Sequence, residues 1–427
     1  MGDTLDAALA DAHARYAEAH PNSRQLAERA ARVLPGGNTR SVLHIEPFAF
    51  RVAGASGAVL HDVDGHDYLD LLGDYSAGLL GRGEVVADVI RGVLDRGWSY
   101  GAMSEPETLF AEAVVARFPS IEQVRFTNSG TEANVMALMT ARHATGRDRV
   151  VVFAGGYHGG PLYFGHGGAP LRIPFDYAVL PYNDAASAEA EFARRGDDIA
   201  CVLVEPMLGA GGCIPGDATF LATLRRRTTE HGAVLIFDEV MTSRLAVGGA
   251  QALLDVTPDM TTLGKYLAGG LSFGAFGGRA DLMAAYDPAR GGLTHGGTFN
   301  NNAFTMSVGA AVAEALVDEK ALAVVNERGD RLRAGLQARL DAIGFCVTGW
   351  GSILNVHPVP CPVVSPADLE RGDPRWRQLF FHDLLAAGFY LAPRGYLALS
   401  MDVSDDDTGR FLAAVEDFCE HRGALTT

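Results

Sequence analysis

Lysine is the residue this chain lacks most. Of its 35 basic residues only Lys265 and Lys320 are lysines, and the other 33 are arginines. Any chemistry that requires a lysine amine is therefore confined to two positions. Excess positive charge is missing too: 52 acidic against 35 basic residues give a formal net charge of −17. That balance argues against nucleic acid or an anionic membrane surface as a partner, yet leaves room for a small anion in one buried cationic site. The five cysteines, Cys201, Cys213, Cys346, Cys361 and Cys419, show no C-x-x-C spacing. Such scatter predicts reduced, mostly buried thiols rather than a zinc knuckle or a disulfide framework. No uninterrupted apolar stretch approaches the roughly 18 residues a membrane span needs. The segment Met1–Arg15 is acidic and amphipathic, without the basic start and apolar run of a signal peptide. These absences predict a cytoplasmic protein.

What is present fits a multi-domain globular chain. Its 427 residues are 48% hydrophobic and 20% charged, which suits two or three domains at roughly 150 residues each. Residues 4–34 read as two helices broken at Pro21 and stopped by Pro35-Gly36-Gly37. Asp64-Gly65, between Val59–Val63 and Tyr68–Leu72, is a hairpin signal. The acidic stretch around it does not make a calcium loop, because Leu60 and Leu71 stand at the first and last ligand positions; no metal is expected. From about 105 to 290, apolar runs at Gln123–Thr127, Val150–Phe153, Ala200–Val204 and Ala233–Phe237 alternate with helical segments such as Thr131–Thr145, whose Val135, Leu138 and Met139 share one face. Little polar alternation predicts strands covered on both faces, hence an α/β fold with a mostly parallel sheet. From 303 onward helices at 303–318, 320–342, 374–387 and 405–421, with strands at 352–357 and 396–400, predict a smaller α+β domain.

Several motifs carry chemistry. Thr127-Asn128-Ser129-Gly130-Thr131-Glu132 follows a strand and opens a helix. Free N–H groups there can hold an anion, although the same residues also suit a plain N-cap. Asp238-Glu239 sits at the end of a very apolar strand, the edge where open α/β sheets bind ligands; one carboxylate could pair with a protonated ring nitrogen, or both could be structural. Thr262-Leu263-Gly264-Lys265 precedes the uncharged, glycine-rich Ala268–Gly278. Burial in such a setting favours the neutral amine that a Schiff base requires. Lys320 stands among charges in Asp318-Glu319-Lys320 and reads as a solvated surface residue, so a chemical lysine must be Lys265.

Other signals are open on their own. Gly270-Leu271-Ser272-Phe273-Gly274 matches the hydrolase elbow, but that elbow belongs on a strand-to-helix turn, and glycine flanks it here. Tyr157-His158-Gly159 offers an aromatic ring at a sheet edge, and Gly296–Asn302 a second polar helix start. Arg40 and Arg394 sit in loops, each a natural bidentate partner for a carboxylate.

The order of these motifs is distinctive. Ser-Gly-Thr-Glu-Ala, Tyr-His-Gly, Val204-Glu205-Pro206, Asp-Glu-Val, Leu-Gly-Lys and Gly-Thr-Phe, in that sequence, closely resemble the fold-type I, class III pyridoxal phosphate aminotransferases. Within that group the chain looks most like the β-phenylalanine aminotransferases, on Gly37–Leu43, Tyr157–Gly160, Phe237–Arg244, Thr261–Gly278, Gly297–Asn302 and Pro393-Arg394-Gly395. Glutamate semialdehyde aminomutase is the next relative. The resemblance implies a seven-stranded, mostly parallel large domain at 71–302, an N-terminal segment at 1–70, a small C-terminal domain at 303–427, and a homodimer with shared active sites.

It also implies roles. Lys265 would bind pyridoxal 5′-phosphate as a Schiff base and then move the substrate proton. Asp238 would keep the pyridine nitrogen protonated. Tyr157 would stack on one ring face, with His158 beside it and Val240 on the other face. Ser129, Gly130 and Thr131 would hold the phosphate, Thr298 reaching it from the partner subunit, and Glu205 would stand behind them. Arg40 would take the carboxylate of a β-amino acid, and Arg394 would serve carboxylates as a second arginine. The implied reaction moves the amino group of a β-amino acid to a 2-oxo acid such as 2-oxoglutarate or pyruvate. A semialdehyde aminomutase, or a hydrolase using Ser272, is the alternative. The match is poor at 76–107, a segment that shapes the side-chain pocket in this fold, and the proline-rich tract 357–372 also diverges.

Overall fold

The apolar runs in the middle of the chain pair into one seven-stranded sheet. A computed structural model describes residues 2–165, 171–290 and 292–426. In chain order the strands are β1 (Gln123–Thr127), β2 (Arg149–Phe153), β3 (Asp176–Leu180), β4 (Ile199–Val204), β5 (Val234–Asp238), β6 (Met260–Gly264) and β7 (Gly274–Gly278). Their spatial order is β1-β7-β6-β5-β4-β2-β3. From β6 through β3 every pair is parallel, and β7 is antiparallel to both neighbours. Alternate residues point to opposite faces. Val151, Val202 and Leu235 pack with Phe192, Phe220 and Leu224 of the helices Ala185–Arg195 and Ala218–His231. Val150, Leu203 and Ile236 pack with Ala133, Ala137 and Leu138 of the helix Gly130–Thr145. Both faces are covered, so these strands carry no polar alternation.

Composition alone misleads in three places. Glycine-rich Gly274–Gly278 has the composition of a loop, yet it is a fully buried strand. Its glycines allow close approach: a Cβ on Gly274 would lie 2.1 Å from the Ser129 carbonyl oxygen. The buried face of Gly130–Thr145 runs through Ala133, Asn134, Ala137, Leu138 and Ala141, while Met139 is exposed. A polar Asn134 therefore sits where an apolar pattern was expected. Cys346 and Cys361 form a disulfide, which corrects the expectation of free thiols; Cys201, Cys213 and Cys419 remain free. The pairing comes from an antiparallel hairpin of Cys346–Trp350 and Ile353–His357, with Cys346 opposite His357, so the chain after His357 returns past Cys346.

The termini build the remainder. Helices Gly2–Ala19 and Pro21–Ala31 break at Pro21 as expected. Strands Val52–Ser56, Val59–Asp62 and Asp67–Asp70 form a meander that Phe389–Tyr390 joins in parallel, tying the two ends of the chain together. Helices Glu319–Leu340, Pro374–Ala386 and Asp405–Arg422 and the three-stranded sheet containing Tyr396–Ala398 follow. The helix expected at 303–318 spans Ala303–Ala311 and continues as a π-helical turn, Val312–Leu316. Among the described residues, no helix is long and apolar enough to cross a membrane.

Candidate active site

Lys265 stands immediately after β6, at its C-terminal end. Its φ of 56° is left-handed, an uncommon conformation for a residue with a long side chain and one that tends to cluster at functional sites. Burial lowers its pKa below the usual lysine value, partly offset by the negative charges of Asp238 and Glu205, while Arg394 lowers it further. Lys320 is exposed at the start of its helix. The structure thus separates the two lysines as their sequence contexts predict.

Asp238 ends β5, two strand positions from the turn that carries Lys265, and is 4% exposed. Its Oδ2 lies 2.7 Å from His158 Nδ1 and accepts from Asn134 Nδ2 at 2.8 Å. Oδ1 accepts from the Val240 backbone N–H at 3.0 Å. Asn134 is itself oriented by Thr262 Oγ1, which donates to its carbonyl oxygen at 2.7 Å. Fixed in this way, Oδ1 retains acceptor capacity for one further N–H donor. The neighbouring Glu239 has a different function. It is fully buried and accepts from the Ala250 and Gln251 backbone N–H groups and from Thr242 Oγ1, so it caps the helix Gly249–Leu254 from inside the core.

The surrounding residues pack closely. Val240 packs where a Cβ on Gly130 would lie 2.7 Å from its Cγ2, and one on Gly264 3.1 Å from its Cγ1. Glycine at both positions makes room for Val240 beside the start of Gly130–Thr145. Ser129 caps that helix by accepting from the Glu132 N–H at 3.2 Å. Gly159 approaches Thr131 so closely that a Cβ would fall 2.3 Å from Thr131 Oγ1. Tyr157 is 45% exposed, and its backbone N–H donates to Glu205 at 2.9 Å. Burial raises the Glu205 pKa, opposed by His158 and reinforced by Asp238. A flat group with an aromatic nitrogen, an aldehyde and a phosphate fits this donor set: Asp238 for the nitrogen, Lys265 for the aldehyde and a helix N-terminus for the anion.

Two guanidiniums converge on one ring. Arg40 lies 5.4 Å and Arg394 5.2 Å from the Tyr75 centroid, and Arg394 also lies over Tyr396. Arg40 Nη1 donates to Asp74 Oδ1 at 2.8 Å. Arg394 Nε is buried without a hydrogen-bond partner among the described residues. Sequence reading identified both arginines but not Tyr75, Asp74 or Asn134. The positive φ of Asp74, Tyr75 and Ser76 leaves no composition signal; an asparagine on an otherwise apolar helix face was the available clue to Asn134.

Two expected residues stand apart. Thr298 is exposed, on a segment whose Asn300 accepts from Asn128 Nδ2 at 2.9 Å. Ser272 is exposed and leads from a bend into β7, a strand rather than a helix. Its described contact is its carbonyl, which accepts from Thr305 Oγ1, so the hydrolase elbow is not built.

The chain is similar to known proteins. The family described as aminotransferase class-III matches residues 43–164 and 170–368. A β-phenylalanine transaminase from Variovorax paradoxus is 49% identical over 424 residues, covering 99% of this chain and 98% of that protein. The crystal structure of a β-phenylalanine aminotransferase from the same organism superposes with a TM-score of 0.97 over 99% of each chain. A glutamate-1-semialdehyde 2,1-aminomutase from Sorangium cellulosum is 38% identical, covering 94% of this chain and 97% of its own. A solved transaminase with PLP bound is 30% identical, with a TM-score of 0.87 over 95% of this chain and 99% of that one.

Proposed function

The chain belongs to the class-III aminotransferase family, and we propose that it is a pyridoxal 5′-phosphate-dependent transaminase moving the amino group of a β-amino acid, of the β-phenylalanine type, to a 2-oxo acid. The observation that carries the substrate reading is the convergence of Arg40 and Arg394 on Tyr75, close enough to Lys265 for Arg394 and Asp74 to act on its charge. We further read the protein as a cytoplasmic homodimer, with 71–302 as the cofactor-binding domain.

When bound, the cofactor supplies an aldehyde that forms an imine with amines and a protonated ring that accepts carbanion charge. The chain supplies the rest. Lys265, its ammonium form disfavoured by burial, has a neutral amine within reach and can take and return a proton at the substrate carbon. Asp238, held by His158, Asn134 and Val240, would keep a ring nitrogen protonated. The backbone N–H groups at Gly130 and Thr131 would hold a phosphate, with Ser129 as cap and Thr298 assigned to the partner's site. Tyr157 and Val240 would bound the two faces of the cofactor ring, and Glu205 supports the Tyr157 backbone. Arg40 and Arg394 offer carboxylate forks at different places, as a β-amino acid and a 2-oxo acid demand.

The test is a spectrophotometric screen of α-, β- and ω-amine donors against the holoenzyme. A β-amino acid should bleach the bound cofactor's visible band, and a 2-oxo acid should restore it. Arg40→Ala should weaken the donor by about 1.5–3 kcal/mol, the scale of a hydrogen bond to a charged group. Turnover of a semialdehyde alone, with no acceptor, would assign the aminomutase reaction instead.

A further inference from the structure

Residues 73–76 form a left-handed turn. Gly73, Asp74, Tyr75 and Ser76 have φ of 51°, 45°, 54° and 74°. A left-handed conformation is strained at each residue with a side chain, and persists only where the surroundings over-determine it. They do so here. Arg244, fully buried, donates from Nη1 to the Ser76 carbonyl and from Nη2 to the Leu399 carbonyl. Tyr75 Oη donates to the Val42 carbonyl at 3.0 Å, and its ring stacks on Tyr396 at 5.8 Å. The Gly73 carbonyl accepts from the Gly78 N–H at 2.8 Å. A buried guanidinium without a carboxylate partner among the described residues is thus employed in holding a strained loop.

The strain has one visible result. It turns Tyr75 inward as the shared platform under both arginines, and it places Asp74 on Arg40. The two arginines are then unlike. Arg40 carries a carboxylate at 2.8 Å. Arg394 carries no ion pair among the described residues, and its Nε is buried and unpartnered.

We propose that Asp74 is a specificity-determining residue that competes with the donor's carboxylate for Arg40, while Arg394 is free of such competition. The proposal rests on the donor reading above. A carboxylate arriving at Arg40 exchanges one anion for another, so net affinity at that arginine is tempered; a carboxylate arriving at Arg394 gains a full new pair. Asp74 would therefore hold the affinity for the donor below what Arg40 alone could give, and leave the affinity for the 2-oxo acid alone. The Arg40–Asp74 side chains are 46% and 58% exposed, so the competition has the size of a surface ion pair, about two- to fivefold in affinity.

The experiment compares wild type, Asp74→Asn, Asp74→Glu, Arg40→Ala and the Asp74→Asn/Arg40→Ala double variant as holoenzymes. The first readout is binding of 3-phenylpropanoate, a carboxylate without an amine, followed through the bound cofactor's spectrum. The second is KM for the β-amino acid and for the 2-oxo acid. Asp74→Asn should tighten 3-phenylpropanoate and lower the donor KM by about two- to fivefold, with the 2-oxo acid KM unchanged. Asp74→Glu should return both towards wild type, and the tightening should vanish in the Arg40→Ala background. Unchanged or weaker binding in Asp74→Asn, equal shifts for both substrates, or tightening that survives without Arg40 would each overturn the proposal. If Asp74→Asn does not fold, Asp74→Ser takes its place, and an unchanged ratio of the two KM values in that variant does the same. If wild type shows no half-reaction with any β-amino acid, the donor reading falls, while the 3-phenylpropanoate comparison still decides the role of Asp74.

Discussion

His158 and Asp238 share a hydrogen bond of 2.7 Å between Nδ1 and Oδ2 in the floor of the site. Both side chains are almost fully buried, and Asn134 supplies a second donor to the same oxygen. Asp238 is thereby oriented from two directions before any ligand arrives.

Loss of that orientation should be costly. Asn134→Ala removes a donor to a buried carboxylate, on the order of 1.5–3 kcal/mol. We expect kcat/KM to fall about tenfold to a hundredfold, with weaker retention of pyridoxal phosphate on dialysis. Asp238→Asn should fall further, roughly a hundred- to a thousandfold. Wild-type kinetics in either variant would refute the assignment of Asp238 to the ring nitrogen.

Lys265 should carry the cofactor's visible band, so Lys265→Ala should lose it, and a retained band would exclude this lysine. The apoprotein offers a second test. Because burial lowers the folded-state pKa below the ordinary 10.5, the unfolded chain binds more protons in between, and stability rises with pH through that window. Lys265→Met removes the penalty. Its apo form should melt higher than wild-type apoprotein at neutral pH, with the advantage shrinking as pH approaches 10.5.

Two buried histidines should make the fold acid-sensitive. Burial lowers His357 and His382 from 6.5 to about 4. The unfolded chain takes up these protons first, so stability is complete above pH 6.5 and is lost as pH falls towards 4. Moving a histidine from 6.5 to about 4 is worth roughly 3 kcal/mol for each group. Urea titrations between pH 7 and 4 should show this loss, and His382→Phe should flatten it; an unchanged slope would refute the contribution of His382.

The Cys346–Cys361 bond closes a loop with a sequence separation of 15, for which chain entropy suggests up to about 3 kcal/mol of stability. Non-reducing peptide maps of protein purified under oxidising conditions should contain the cross-linked pair. Cys361→Ser should lower the melting temperature only relative to the oxidised form. Recovery of both cysteines as free thiols from such protein would remove the bond.

Much of the site was legible because its signals are local. A strand running into Ser129-Gly130-Thr131 announces a helix start, and β5 announces its own end at Asp238. Other features were hidden. Gly274–Gly278 looks like a loop until the Ser129 carbonyl is found against it. Asn134 looks like any helical asparagine until Asp238 and Thr262 meet it.

The sequence alone narrowed the proposed reactive amine to one candidate, because with two lysines, one among charges and one in an apolar glycine-rich run, only Lys265 suits desolvation. It could not determine what surrounds that amine. Residues 40, 75 and 394 are brought together by long-range sheet pairing and by a strained turn clamped from Arg244. Periodicity, caps and turn chemistry act over a few residues, whereas that convergence is a tertiary event, and it decided which carboxylates the arginines meet.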